Sequence, residues 1–127
     1  MKNIKNCFFN IASEKEKIDF ILTREKNYTY GEVLKLVKIS INNLLTLGVK
    51  KGDRVSLISE KSPEQVIALL SIWSIGAIAV PINENLNHHE LDFILKDSTP
   101  TLNLLSKKYF DLIEISNKIL LSDLNKN

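Results

Sequence analysis

Apolar residues along this 127-residue chain change their spacing from segment to segment, and each change marks the edge of an element. Val33, Leu34, Val37, Ile41, Leu44 and Leu45 recur at three- and four-residue intervals and make one face of a helix, with Lys35, Lys38 and Asn42 on the other. Thr29 followed by Glu32 is a capping-box pattern, in which each side chain satisfies an orphan amide at the helix end, so the helix starts there. It runs toward Leu47 and stops at Gly48, a residue that tolerates left-handed backbone. After the turn-forming Val49-Lys50-Lys51-Gly52-Asp53, the run Arg54 to Ser59 predicts a strand and Glu60-Lys61 a loop. Ser62 as cap, Pro63 at the first helical position and Gln65 as capping-box partner then open a second helix.

From Val66 to Ile82 almost every residue is apolar, yet the stretch falls short of the ~20 residues a membrane span needs. Because Gly76 interrupts it, the stretch predicts a buried helix followed by a strand over 77–82 that is buried on both faces, as in a parallel sheet. Asn87 with Glu90 opens a third helix carrying Leu91, Ile94 and Leu95 on one side, and Asp97-Ser98-Thr99-Pro100 closes it before a strand over Leu102 to Leu105. Tyr109 to Ile115 predicts a short helix and Lys118 to Leu121 a further strand. Upstream, Asp19 to Thr23 and Tyr28 to Tyr30 flank the turn Glu25-Lys26-Asn27 and suit a hairpin. Residues 1–17 form a polar, lysine-rich segment around Cys7, Phe8, Phe9 and Ile11, read as a short helix docking on the domain, and residues 122–127 read as a frayed tail. The expectation is a single α/β domain over residues 1–127, with strands and helices alternating around a mainly parallel sheet through right-handed crossovers. Strand order is not readable from the pattern.

Composition adds limits. A chain of this length can remove roughly two-thirds of its unfolded surface from water, enough for a core. At 44% hydrophobic and 25% charged residues, neither disorder nor a fibrous repeat is indicated. The net charge of +2 arises from lysines interleaved with Asp and Glu, without a basic face to track phosphates, which argues against nucleic-acid binding. The lysines before Cys7-Phe8-Phe9 do not make a signal peptide, since the apolar run is too short and Asn10 interrupts it. The single thiol, Cys7, has no cysteine with which to form an intramolecular disulfide, and a reducing cytoplasm is the simplest setting.

Chemistry is sparse. No glycine-rich turn joins a strand to a helix, which is how phosphate sites usually show themselves in α/β folds. The turn Ser59-Glu60-Lys61-Ser62-Pro63 stands at such a junction, but Glu60 and Glu64 oppose an anion and the capping box uses the helix-end donors. His88 and His89, adjacent in the first turn after the Asn87 cap, point about 100° apart on a helix and read as surface groups rather than metal ligands. No serine lies in a glycine-flanked nucleophile elbow. Asp53 and Arg54 support a turn, and Trp73 reads as core or interface packing. No catalytic, cofactor-binding or metal-binding residue is assigned.

The ordered set Tyr28-Thr29-Tyr30-Gly31-Glu32, Gly48-Val49-Lys50-Lys51-Gly52-Asp53-Arg54-Val55, Ser62-Pro63-Glu64, Gly76-Ala77-Ile78-Ala79-Val80-Pro81-Ile82-Asn83 and Glu90-Leu91-Asp92-Phe93-Ile94-Leu95-Lys96-Asp97-Ser98 resembles the N-terminal part of AMP-forming acyl-CoA synthetases. These belong to the adenylate-forming (AMP-dependent synthetase and ligase) superfamily. The resemblance spans roughly Asp19 to Leu105. It implies an enzyme that activates a carboxylate with MgATP to an acyl-adenylate, releases pyrophosphate and passes the acyl group to a thiol such as CoA, with fatty acid metabolism as one setting. The family's phosphate loop, its adenine and ribose motifs and its C-terminal catalytic lysine come later in the chain and have no counterpart among these residues. The expectation is therefore an N-terminal fragment or split part, inactive alone, with a second chain as the partner supplying the rest. A noncatalytic module binding a protein or an acyl ligand, or a part of an amino-acid adenylating enzyme, is the alternative.

Overall fold

The computed structural model describes residues 4–82 and 85–127, so Asn83 of the family-like motif and the first three residues lie outside the described residues. The elements run α1 (Ile4–Glu14), β1 (Asp19–Leu22), β2 (Asn27–Thr29), α2 (Tyr30–Thr46), β3 (Arg54–Ile58), α3 (Pro63–Ser74), β4 (Ile78–Ile82), α4 (His88–Ser98), β5 (Leu102–Leu105), α5 (Lys107–Phe110) and β6 (Lys118–Leu120), with a closing 3-10 turn at Leu121–Asp123. The fold is α/β. β1 and β2 form a small antiparallel hairpin, and the other strands form a parallel sheet in the order β4-β3-β5-β6.

Local chemistry starts α2, α3 and α4 where the sequence indicates. The Glu32 amide donates to the Thr29 hydroxyl at 3.1 Å while the Thr29 amide donates to the Glu32 carboxylate at 3.2 Å, a complete capping box. Ser62 accepts from the Gln65 amide at 3.2 Å with Pro63 in the first turn, and Asn87 Oδ1 accepts from the Glu90 amide at 2.9 Å. Gly48 and Gly76, past the ends of α2 and α3, have φ of 89° and 74°, where other residues would be strained.

The long apolar run has a physical cause. α3 is buried on two sides: Ala68 and Ile72 pack with Val55, Leu57 and Leu104 of the sheet, while Ile67 and Leu70 pack with Val33 and Val37 of α2 and with Phe8 and Ala12 of α1. A helix between a sheet and other helices is apolar nearly all round. Among the described residues no helix is long and apolar enough to cross a membrane. The other sheet face carries Ile58, Ile82 and Leu105, which meet Leu91 of α4 and Ile113.

Two expectations change. The strand over 77–82 was expected to be buried on both faces, but β4 is an edge strand, with Ile78 48% exposed and Pro81 exposed. Edge strands are where proline's missing donor is tolerated. The helix expected over Tyr109 to Ile115 is the single turn α5 instead: the Lys118 ammonium donates to the carbonyls of Phe110 (2.7 Å) and Ile113 (3.2 Å), taking acceptors that a longer helix would use. The tail at 122–127 is anchored at Leu124. Leu124 is buried in the main core, and Asn43 Nδ2 donates to the carbonyls of Leu124 and Lys126 at 2.7 and 2.8 Å.

Candidate functional site

Strand order places the junction of interest. β4 lies on one side of β3 and β5 on the other: the crossover through α3 runs outward from β3 to β4, the crossover through α4 runs back from β4 past β3 to β5, and the two helices cover opposite sheet faces. In open parallel sheets, ligands bind outside the carboxyl ends of the strands at such a reversal. Here the reversal lies between β3 and β5, and the residues just past those strands are Ser59, Glu60 and Ser106.

These three come together. The Ser106 amide donates to the Ile58 carbonyl at 3.0 Å, and the Ser106 hydroxyl donates to Glu60 Oε2 at 3.0 Å, which closes the gap between the strand ends. Ser59 is buried, and its hydroxyl is without a hydrogen-bond partner among the described residues. Glu60 and Ser106 are 46 positions apart, so only the parallel pairing of β3 with β5 brings them into contact. The β3-to-α3 turn thus presents a carboxylate at the crevice, with the Ser62 cap occupied by the Gln65 amide, an arrangement that repels rather than cradles phosphate.

Beside this crevice, on the α4 face, lies a cavity of about 220 Å³. Its apolar wall is made by Ile58 and Ile82 at the ends of β3 and β4, Leu86 and Leu91 around the start of α4, and Leu112 and Ile113 after α5. Asn87, His88 and Tyr109 supply the polar part of the lining.

The other candidates fall elsewhere. His88 and His89 are both exposed, and among the described residues no group of three His, Cys, Asp or Glu side chains is placed to hold a metal ion. Trp73 is 41% exposed near the end of α3, away from the cavity lining. Asp53 and Arg54 support their neighbourhood as expected: Asp53 accepts from the Lys50 amide at 2.8 Å, and the Arg54 guanidinium donates to the Ser98 carbonyl at 3.2 Å at the end of α4. Cys7 is exposed and free. Lys26 of the hairpin turn and Glu32 of the first turn of α2 form an exposed ion pair of 3.0 Å; hydrogen bonding and attraction between them raise the Lys26 pKa and, with the Thr29 amide, lower that of Glu32.

A family model described as AMP-binding enzyme matches residues 8–125. Among curated proteins, the chain is similar to crotonobetaine/carnitine–CoA ligase of Escherichia coli O1:K1 / APEC, with 33% identity over 87 residues, covering 68% of this chain and 17% of that protein. Among solved structures, the N-terminal subdomain of NpsA from Klebsiella oxytoca superposes with a TM-score of 0.89 at 21% identity, covering all of this chain and 33% of that one. The anthranilate CoA ligase AuaEII in complex with anthranoyl-AMP superposes with a TM-score of 0.87 at 24% identity, covering 98% of this chain and 27% of that one. The chain thus spans less than a fifth of the curated relative and at most about a third of these solved chains.

Proposed function

The chain belongs to the AMP-binding enzyme family across residues 8–125, and we propose that it is the N-terminal part of an AMP-forming acid–thiol ligase, catalytically silent without the rest of the adenylating domain. The observation that carries this reading is the disproportion of the matches. The family pattern fills nearly all of this chain, yet this chain fills only 17% of a relative named as a CoA ligase. The reaction of the complete enzyme would join a carboxylate to AMP with loss of pyrophosphate and then pass the acyl group to a thiol. ATP is needed because a free carboxylate is a poor acyl donor, and catalysis of such a displacement rests on positioning and on cations or backbone donors around the phosphates.

The turn before α3 does not suit a magnesium triphosphate. Glu60 and Glu64 place negative charge at the amino end of α3, and its cap hydroxyl already holds the Gln65 amide. In this reading the chain contributes the parallel sheet β4-β3-β5-β6 and its helices, on which the remaining domain packs. The acid it serves is left open between acyl and aminoacyl groups, and a cytoplasmic setting accords with the free Cys7 thiol.

Carboxylate-dependent exchange of pyrophosphate into ATP is the test. The purified chain is expected to show none with aliphatic, aromatic or amino acids, and robust exchange would overturn the reading that these residues are silent without the rest of the domain. A noncatalytic module derived from such an enzyme, binding a protein partner or an acyl ligand, is the second reading; exposed apolar area around Trp73, itself 41% exposed on α3, supports it. A stable monodisperse monomer that remains without exchange activity when co-expressed with candidate second chains would favour it.

A further inference from the structure

We infer that the cavity at the carboxyl ends of β3 and β4 is a binding site for one small uncharged apolar group, a single aromatic ring or a short branched chain. The inference stands on this chain's own geometry and does not depend on the ligase reading. Position is the first support: the cavity opens where parallel strands end next to a reversal of strand order, the place at which open α/β sheets take ligands. Size is the second. Its volume of about 220 Å³ exceeds the roughly 150 Å³ of an engineered apolar cavity that stays dry and takes up benzene, so a ring with one small substituent fits.

The lining selects the class. Ile58 and Ile82 form the strand ends, Leu91 the helix wall and Ile113 the opposite wall, and all four are buried in one cluster, so this part of the cavity is preformed. Leu86, half-buried, and Leu112, 68% exposed, stand in its open side. Charge then argues against a carboxylate. Both polar atoms of the Asn87 side chain are engaged with Glu90, Oδ1 by its amide at 2.9 Å and Nδ2 by its carboxylate at 2.7 Å. The polar atom pair nearest the start of α4 is therefore spent on capping, and a negative charge stands beside it. A hydroxyl on the ligand meets polar lining from His88, whereas an anion comes near the Glu90 carboxylate, which stands outside the lining but holds Asn87 Nδ2.

Methyl NMR of the full chain, labelled at isoleucine and leucine, tests this with benzyl alcohol and benzoate as probes. Benzyl alcohol is expected to give saturable shifts centred on Ile58, Ile82, Leu91 and Ile113, with benzoate binding several-fold more weakly. Ile113→Phe, which fills the cavity from its wall, is expected to abolish the shifts. Leu86→Phe does so from the half-buried side if the first variant loses its fold. A dispersed spectrum without saturable shifts at these four residues, shifts centred on exposed Leu22 or Leu45 instead, or undiminished binding to a folded filling variant would overturn the site. Benzoate binding as tightly as benzyl alcohol would overturn the uncharged class. Shifts of the same methyls on simple concentration of the chain would place a second copy there and also overturn it.

Discussion

The Ser56 hydroxyl donates to Asn103 Oδ1 at 2.6 Å across the junction of β3 and β5, and both side chains are buried. Asn103 Nδ2 in turn donates to the Ser116 carbonyl at 3.0 Å, and its amide donates to the Asn117 carbonyl at 2.9 Å. One asparagine thus ties the two central strands to the segment that leads into β6. Asn103→Leu leaves a buried hydroxyl and a carbonyl without this partner, and is expected to cost about 1–3 kcal/mol. Combining it with Ser56→Ala is expected to cost less than the sum of the single changes, because the second substitution removes the group that the first one strands. Urea unfolding of the four proteins measures this, and strict additivity would refute the coupling.

Gly31 sits in the first turn of α2, where a helix former such as alanine would ordinarily be better. Its amide donates to the Glu16 carbonyl at 2.9 Å, and an added Cβ would stand 3.0 Å from that oxygen and 3.1 Å from Glu16 Cβ. The close approach explains the glycine in Tyr28-Thr29-Tyr30-Gly31-Glu32. Gly31→Ala is expected to destabilise the chain by about 1 kcal/mol despite its better propensity. It should also speed tryptic cleavage at Lys15 and Lys17, as the segment joining α1 to β1 is pushed away. Unchanged or improved stability with unchanged cleavage would count against the steric account.

Glu32 serves two partners, accepting from the Thr29 amide and pairing with Lys26, and its pKa is lowered from an ordinary 4.5, first by the hydrogen bond from Lys26 and then by the Thr29 amide. A lowered carboxylate pKa contributes stability that is present above the ordinary value and is lost as pH falls through the folded one. The Lys26 pKa is raised above 10.5, first by its hydrogen bond to Glu32, so its contribution is present below 10.5 and is lost as pH rises through the higher folded value. Glu32→Gln keeps an acceptor for the cap and removes the charge. Its stability difference from wild type is expected to be largest near neutrality and to shrink toward both acid and strong alkali. A difference that is flat from acid to alkali would exclude the ion pair as its cause.

Leu124 tests whether the tail is part of the fold. It is 2% exposed among Leu44, Val49, Leu57 and Leu121. Leu124→Ala is expected to cost about 2–4 kcal/mol, in the range of buried leucine truncations. Asn43→Ala, which removes the donor to the Leu124 and Lys126 carbonyls, is expected to cost about 1 kcal/mol. Thermal unfolding of both variants reads the outcome, and near-wild-type values for both would mean that the tail does not hold in solution.

Helix starts were legible because capping is a local interaction. Thr29 with Glu32 and Asn87 with Glu90 are three residues apart, so the pattern in the chain is the contact in space. The end of α5 was not legible, because the group that takes the Phe110 and Ile113 carbonyls is Lys118, reaching back from the next strand. The anchor of the tail was hidden for a related reason: the composition there is polar, and its single leucine, Leu124, finds its pocket only once α2 and the sheet are together. The Glu60–Ser106 contact had no local signal at all, since it depends on which strands are neighbours.

Spacing and capping along the chain were enough to settle the alternation of elements, the α/β class and the family resemblance, because each depends on interactions within a few residues or on an order of short motifs. The family match over residues 8–125 agrees with that reading. Tertiary structure decided the rest: β3 at the centre with β4 at the edge, the reversal between β3 and β5, and the cavity walled by Ile58, Ile82, Leu91 and Ile113. Those features arise from pairings between residues far apart in sequence. Apolar runs of similar composition, such as those of β4 and β5, carry no mark of which neighbour each will take.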